Sequence, residues 1–180
     1  MLTFEAIKNR RTVRRFKEDD ITEKDIELML EAAMSAPSYF DARANEYYVI
    51  KNKEDRELVK SNLDLAKYDS PVILIFCYDT KKKSAIKISP VVEALQRKHD
   101  IYLSLENLLL AATDLGYGAS IDLFDFEKAK ALNKKWKIEK GNLLFEDGHF
   151  PLLADFLGRP FVEDGCPQDK FDKNKIHSIK

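Results

Sequence analysis

Residues 101–118 read IYLSLENLLLAATDLGYG, and this stretch decides the fold. Its leucines and alanines surround a predicted helix from Ile101 to Leu115 on nearly every side, and Asp100 is placed to cap the N-terminus of that helix. Gly116 is the expected stop, since glycine commonly follows the last residue of a helix. A helix that is apolar nearly all round lies at the centre of a protein or at a subunit interface.

Four segments outside this helix predict a sheet. Val72 to Tyr78 is apolar without polar alternation, which is typical of a strand covered on both faces. Shorter strands are predicted at Tyr47 to Ile50, Ala119 to Leu123 and Leu152 to Leu157. The chain should therefore place helices on both sides of one sheet.

The clearest helix start lies at Thr22, which forms a predicted capping box with Asp25, and this helix stops before Pro37. A short helix capped by Thr3 is expected before it. The polar segment from Asp79 to His99 is expected to hold a short helical piece. Further helices are predicted at Asp55 to Lys67 and at Phe126 to Trp136.

Length and composition indicate one globular domain over residues 1–180, with 44% hydrophobic residues and a formal net charge of −1. The near-neutral charge argues against a protein built mainly to bind nucleic acid. Neither a signal peptide nor a run of roughly 20 apolar residues is found, so we expect no membrane partner. Cys77 and Cys166 form no CxxC motif and suit a reducing compartment, so a cytoplasmic protein is expected.

The segment RRTVRRF, residues 10–16, concentrates positive charge between two predicted helices. Guanidinium groups bind phosphate oxygens bidentately, and the Thr12 hydroxyl adds a neutral donor. The segment therefore indicates an anion site. A surface patch that pairs with Glu18, Asp19 and Asp20 explains the same residues equally well.

Two further motifs accompany the arginines. AAMSAPS, residues 32–38, lies at the end of the best predicted helix, and DLGYGASI, residues 114–121, places two glycines where backbone can approach a ligand. The second motif breaks the GxGxxG pattern at Ile121, so it is not a dinucleotide-binding fingerprint.

Taken in order, these pieces resemble the nitroreductase family of flavin enzymes. The resemblance rests on residues 10–16, 32–38, the Ser70-Pro71-Val72 strand start and the NLLLAATDLGYG run of residues 107–118. The closing FLGRP and KFD segments, residues 156–160 and 170–172, also match.

The resemblance implies an α+β fold, a three-layer sandwich with a mixed central sheet flanked by helices. It implies a homodimer with FMN at the interface. NADH or NADPH would donate electrons, which pass through the FMN to a small organic acceptor, such as a nitroaromatic or a quinone, in a ping-pong scheme. No side chain is expected to act as a catalytic nucleophile, acid or base.

The resemblance also assigns residues to the cofactor. The phosphate contacts would fall on Arg10, Arg11, Thr12, Arg14 and Lys170. The remaining cofactor-binding positions would be Pro37, Ser38, Asp41, Arg43, Tyr117 and Gly118.

Asp41 and Arg43 depart from the family, which often has Asn and Gln there. Two interpretations stay open. Arg43 near N1 and the C2 carbonyl would stabilise an anionic reduced ring, or Asp41 pairs with Arg43 and holds the loop.

Two other functions remain open. One is a flavin-binding reductase of the same fold with another task, such as dehalogenation or flavin reduction. The other is a module that binds an anionic partner or nucleic acid through its arginines and lysines. His99, His149 and His177 show no metal-ligand spacing, so no metal is expected.

Overall fold

The computed structural model describes residues 2–62, 68–124 and 126–160. Its elements are α1 (Thr3–Asn9), α2 (Glu23–Met34), β1 (Asn45–Ile50), α3 (Lys53–Asn62), β2 (Val72–Asp79), α4 (Pro90–Asp114), β3 (Gly118–Leu123), α5 (Phe126–Lys140) and β4 (His149–Gly158). A short 3-10 turn at Tyr39–Asp41 lies between α2 and β1. Lys170 and Cys166 lie outside the described residues.

The four described strands form one sheet in the order β1-β2-β4-β3. Neighbouring strands pair antiparallel throughout, and the parallel element among the described residues is a single bridge between Thr12 and Ala119. The expected mixed sheet is thus antiparallel in its named strands. The α+β class is confirmed.

Helices cover both faces of this sheet. β2 is buried from Val72 through Tyr78, and its side chains alternate between two hydrophobic cores, one on each face. On one face Ile73 and Ile75 pack with residues of α3 and α5, among them the fully buried Leu132. On the other face Leu74 and Phe76 pack with residues of α2 and α4. The prediction that β2 is covered on both sides is confirmed.

The central helix is longer than the sequence suggested. α4 starts at Pro90, with Ser89 as its N-cap, so Asp100 lies inside the helix and does not cap it. Proline at the first helical position after a serine is a known start signal, which the surrounding lysines obscured. The expected short helical piece before His99 is the first part of this same helix.

The other helix predictions hold with small corrections. Thr22 caps α2 by accepting a hydrogen bond from the Asp25 N–H at 3.1 Å, as expected. Thr3 lies inside α1, whose N-cap is Leu2. The helix predicted at 55–67 is α3, described to Asn62. Among the described residues, none of the helices has the length and apolar composition needed to cross a bilayer.

Asp155 is a charged residue type in the middle of the core. It lies on β4 opposite Leu74 and Ile121 and has no exposed surface. Neither carboxyl oxygen makes a hydrogen bond of normal geometry with a described residue, although the nearby N–H of Phe156 partly stabilises the charge. Burial raises the pKa of Asp155 to about 8, so the carboxyl is protonated at neutral pH.

This protonation predicts an unusual pH dependence of stability. Because the folded pKa exceeds the unfolded value, the free energy of unfolding should fall as pH rises from about 4 to about 8, by up to about 5 kcal/mol. Asp155→Asn should remove this dependence, and Asp19→Asn, an exposed control, should retain it. Denaturant unfolding at a series of pH values measures the effect, and parallel pH profiles for wild type and Asp155→Asn would contradict it.

Candidate functional site

The arginine segment is held on the sheet by Val13, a buried apolar residue near its middle. Val13 is 1% exposed, and its N–H donates to the Ala119 carbonyl oxygen at 2.8 Å. Thr12 and Arg14, on either side of Val13, are exposed. The fold thus fixes the segment by Val13 and leaves a hydroxyl and a guanidinium facing solvent.

Arg10 approaches the central helix. Its Nε lies 3.6 Å from Oε1 of Glu106 on α4, and its side chain is 28% exposed. An ion pair this exposed contributes little to stability. The guanidinium therefore remains available to an anion that competes with Glu106.

Gly118 explains how the segment comes so close to β3. A Cβ at this position would lie 2.7 Å from Cβ of Val13, nearer than side chains pack. The room that this glycine provides is filled by Val13. The glycine at 118 therefore allows the arginine segment to approach β3 closely, whereas the sequence suggested that it allows a ligand to approach.

Tyr117 is a buried neighbour of the same segment, and its hydroxyl has partners within the protein. It donates to Oδ2 of Asp25 at 2.7 Å, and the Arg159 guanidinium lies 4.6 Å from the centre of its ring. The hydrogen bond from Tyr117 lowers the pKa of Asp25, and burial raises the pKa of Tyr117. Sequence reasoning missed this network because its members come from three distant segments.

A small cavity of about 150 Å³ brings part of the predicted phosphate site together with the glycine turn. Its lining includes Arg11, Thr113, Gly116, Tyr117 and Gly118. Arg11 and the predicted positions Tyr117 and Gly118 therefore share one concave surface.

The remaining predicted residues lie together in the loop between α2 and β1. The Ser38 hydroxyl oxygen accepts a hydrogen bond from the Arg43 N–H at 3.1 Å, and Arg43 Nε pairs with Asp41 Oδ1 at 2.7 Å. Both charged side chains are more than 70% exposed, at 79% and 74%, and Pro37 is exposed as well. Of the two interpretations left open by the sequence, the structure contains the Asp41–Arg43 pair.

This loop has an unusual backbone. Phe40, Asp41 and Arg43 have φ angles of 48°, 50° and 43°, in the left-handed region that disfavours residues other than glycine. Each such residue costs on the order of 1–3 kcal/mol and persists only where the surroundings hold it. Backbone strain of this kind is concentrated at ligand sites.

The structure also brings together three residues of the types that bind metal ions, which the sequence did not reveal as a cluster. Glu46, Asp79 and His149 come from three adjacent strands, and one donor atom of each lies within 4.8 Å of the others. All three side chains already have protein partners: the Lys82 ammonium, the Lys81 N–H and the Tyr48 hydroxyl, respectively. We assign the cluster no ligand role.

The geometry defines the class of protein: an α+β fold with a cationic segment and a strained polar loop, both in contact with one central helix. A sequence model of the nitroreductase family matches residues 7–71, which include both features. A protein of Methanothermobacter thermautotrophicus, provisionally named an NADH dehydrogenase/NAD(P)H nitroreductase, is 29% identical over 187 residues. The alignment covers 100% of this chain and 88% of that protein.

Solved structures share the fold. A Parabacteroides distasonis protein with the same provisional name aligns with a TM-score of 0.79 at 23% identity, over 99% of this chain and 98% of that one. A Desulfovibrio desulfuricans structure, described as a nitroreductase in complex with FMN, aligns with a TM-score of 0.80 at 18% identity, over 100% and 98% of the two chains. The chain is therefore similar in sequence to proteins of the nitroreductase family and shares the fold of the solved ones.

The contact between Gly118 and Val13 predicts a steric effect. Gly118→Ala should lower the free energy of unfolding by about 1–3 kcal/mol, because the new methyl group overlaps Val13. The same substitution in a Val13→Ala background should lower the free energy of unfolding by less, since part of the overlap is removed. Denaturant unfolding of the four chains measures the coupling, and equal effects in both backgrounds would contradict it.

Proposed function

We propose that this chain is an FMN-dependent oxidoreductase that takes electrons from NADH or NADPH and passes them to a small organic acceptor, such as a nitroaromatic or a quinone. The observation that carries the proposal is the arginine segment. Buried Val13 anchors it beside the glycine turn of residues 116–118, while Arg14 and Thr12 face solvent. The names given to two relatives, NADH dehydrogenase/NAD(P)H nitroreductase in both cases, support this choice of electron donor.

The residues present fit the phosphate end of FMN. Arg10, Arg11, Thr12 and Arg14 supply three guanidinium groups and one hydroxyl within one anchored segment, which suits a phosphate dianion. Lys170 is a further proposed phosphate contact, outside the described residues. Arg10 would exchange its exposed contact with Glu106 for the phosphate.

The loop after α2 fits the ring end. Ser38 and the exposed Arg43 are the polar groups that this loop offers, with Pro37 and Asp41 beside them. A guanidinium near N1 and the C2 carbonyl would stabilise negative charge on the reduced ring. When bound, FMN would supply the redox chemistry in a ping-pong scheme, and the protein would bind and orient it.

We further propose a homodimer in which a second copy completes the flavin site. Apolar side chains are exposed along α1 and α4, among them Phe4 at 76%, Ile7 at 50% and Leu103 at 48%. A groove of about 370 Å³ lies between α1, α2 and α4, lined by residues including Ala6, Ala32 and Leu110. Exposed apolar side chains that are grouped on a surface commonly mark an interface.

The second candidate, a flavin-binding reductase with another task, is favoured by one observation. Asp41 and Arg43 replace the Asn and Gln often found in the family and form an ion pair in the loop assigned to the ring. Another acceptor chemistry, such as dehalogenation or flavin reduction, fits a changed ring environment. Screening acceptors with NADH and NADPH separates the two candidates.

An anionic-partner module finds little support. The three lysines at residues 81–83, which this alternative would use beside the arginines, each face an acidic partner: Asp147 at 3.0 Å, Glu46 at 2.6 Å and Glu93 at 3.6 Å. We therefore propose no nucleic-acid partner. A cytoplasmic location is proposed as well, because the free, buried thiol of Cys77 suits a reducing compartment.

The purified protein should retain FMN and show a flavin spectrum. Arg10→Ala and Arg14→Ala should each weaken FMN binding by about 1.5–3 kcal/mol, the value of a charge-assisted hydrogen bond. Fluorescence titration of FMN measures the effect. Arg15→Ala is the matched control, since it removes the same charge from the same segment at a position to which the resemblance assigns no phosphate contact.

Two results would contradict this site. A colourless protein that does not bind added FMN would exclude the proposed cofactor. Unchanged FMN affinity in both Arg10→Ala and Arg14→Ala would exclude the phosphate assignment while leaving flavin binding intact.

The dimer leads to a separate prediction. The wild-type chain should sediment as a dimer, and Leu103→Glu should sediment as a monomer, because the new charge would be buried between copies. Ile138→Glu, at a residue 75% exposed on α5, is the control and should leave the dimer intact. Analytical ultracentrifugation decides, and a monomeric wild type or a dimeric Leu103→Glu would overturn the interface.

A further inference from the structure

The first half of α4 carries two buried charges. Arg97 and Asp100 are 2% and 3% exposed, although both residue types are seldom buried without partners. Arg97 Nη2 donates to Oε1 of Glu93 at 3.1 Å and to the Lys82 carbonyl oxygen at 3.0 Å. Arg97 Nη1 lies 3.7 Å from Oδ2 of Asp100.

Asp100 holds the loop of residues 38–45 near both of its ends. Its Oδ1 accepts a hydrogen bond from the Tyr39 N–H at 2.9 Å. Its main-chain carbonyl oxygen accepts one from Nδ2 of Asn45 at 3.2 Å. The positive-φ residues Phe40, Asp41 and Arg43 all lie between these two attachments.

A second attachment leads from Arg97 to the same loop. The main chain of Lys82 is fixed by Arg97, and the Lys82 ammonium donates to the Arg43 carbonyl oxygen at 3.3 Å. The loop is therefore held on one side by Asp100 and on another by Lys82, and Arg97 lies next to both of these residues.

Stabilisation alone is a weak explanation for this cluster. Buried ion pairs add little net stability, because the loss of hydration offsets much of their attraction. Burial raises the pKa of Asp100, whereas the Tyr39 N–H and the charge of Arg97 oppose the rise. Strained backbone persists only where its surroundings fix it, and this cluster makes those contacts.

We propose that Asp100 is a positioning residue for flavin binding, which fixes the loop carrying Ser38 and Arg43, and that Arg97 orients its carboxylate. The inference rests on the proposed function, since it assigns that loop to the flavin ring. Asp100 touches Tyr39 and acts on the flavin through the loop.

Comparison of FMN with riboflavin tests the proposal. Riboflavin lacks the phosphate, so a residue that acts on the ring should affect both ligands alike. Asp100→Ala should raise the Kd of FMN and of riboflavin by a similar factor, about tenfold or more. It should also shift the visible absorption maximum or the reduction potential of the bound flavin, which general destabilisation does not produce.

Asp100→Asn is a conservative variant that controls for a folding defect in Asp100→Ala. The amide keeps a side-chain oxygen for the Tyr39 N–H and nearly the same shape, but it loses the charge opposite Arg97. Binding should recover partly relative to Asp100→Ala. Glu127→Ala, an exposed acid on α5, is the control and should leave both Kd values unchanged.

The possible outcomes distinguish a failure of the positioning role of Asp100 from a failure of the proposed function. If wild type binds flavin and both Asp100 variants keep its Kd values and spectrum, the positioning role is wrong and the proposed function stands. If Asp100→Ala weakens FMN but not riboflavin, Asp100 acts at the phosphate and the inference is also wrong. A wild type that binds neither flavin overturns the proposed function and the inference together.

Discussion

The structure depends on burying β2 from both sides. A strand that is apolar over consecutive residues presents side chains to both faces of the sheet, so neither face can be left to water. α3 and α5 cover one face, and α2 and α4 cover the other. The long helix α4 is thereby fixed along the sheet, and the features proposed to bind flavin are placed relative to it.

Two parts of the proposed site contact α4 at different positions along its length. The arginine segment meets it through Arg10 and Glu106, and the polar loop meets it through Tyr39 and Asp100. One is a set of exposed cations on an anchored segment, and the other is a strained loop held by a buried ionic cluster. The exposed apolar side chains of α1 and α4 form the surface that we propose for contact with a second copy.

Local signals in the sequence predicted most of the fold. The apolar run of β2 and the Thr22 cap need only neighbouring residues to be recognised, and both are confirmed. Asp100 was misassigned because aspartate often caps helices, and the start at Ser89 and Pro90 lay within a polar, lysine-rich stretch. Local patterns therefore locate elements better than they locate their ends.

The contacts within the candidate site were harder to predict than the fold, because they join distant segments. Motif order pointed to the arginines and to the loop, but no spacing rule connects Val13 with Gly118 or Asp100 with Tyr39. The glycine at 118 was recognised as a place of close approach, while the approaching group was not. Side-chain partners of this kind follow from the fold, so they become visible only in three dimensions.

The central claim is that the arginine segment binds the phosphate of a flavin, and paired titrations of wild type with FMN and riboflavin test it most directly. The account predicts that FMN binds at least about a hundredfold more tightly, since several charge-assisted hydrogen bonds reach only the phosphate. Arg10→Ala should narrow this gap by weakening FMN alone. Equal affinities for FMN and riboflavin, or no binding of either, would contradict the account.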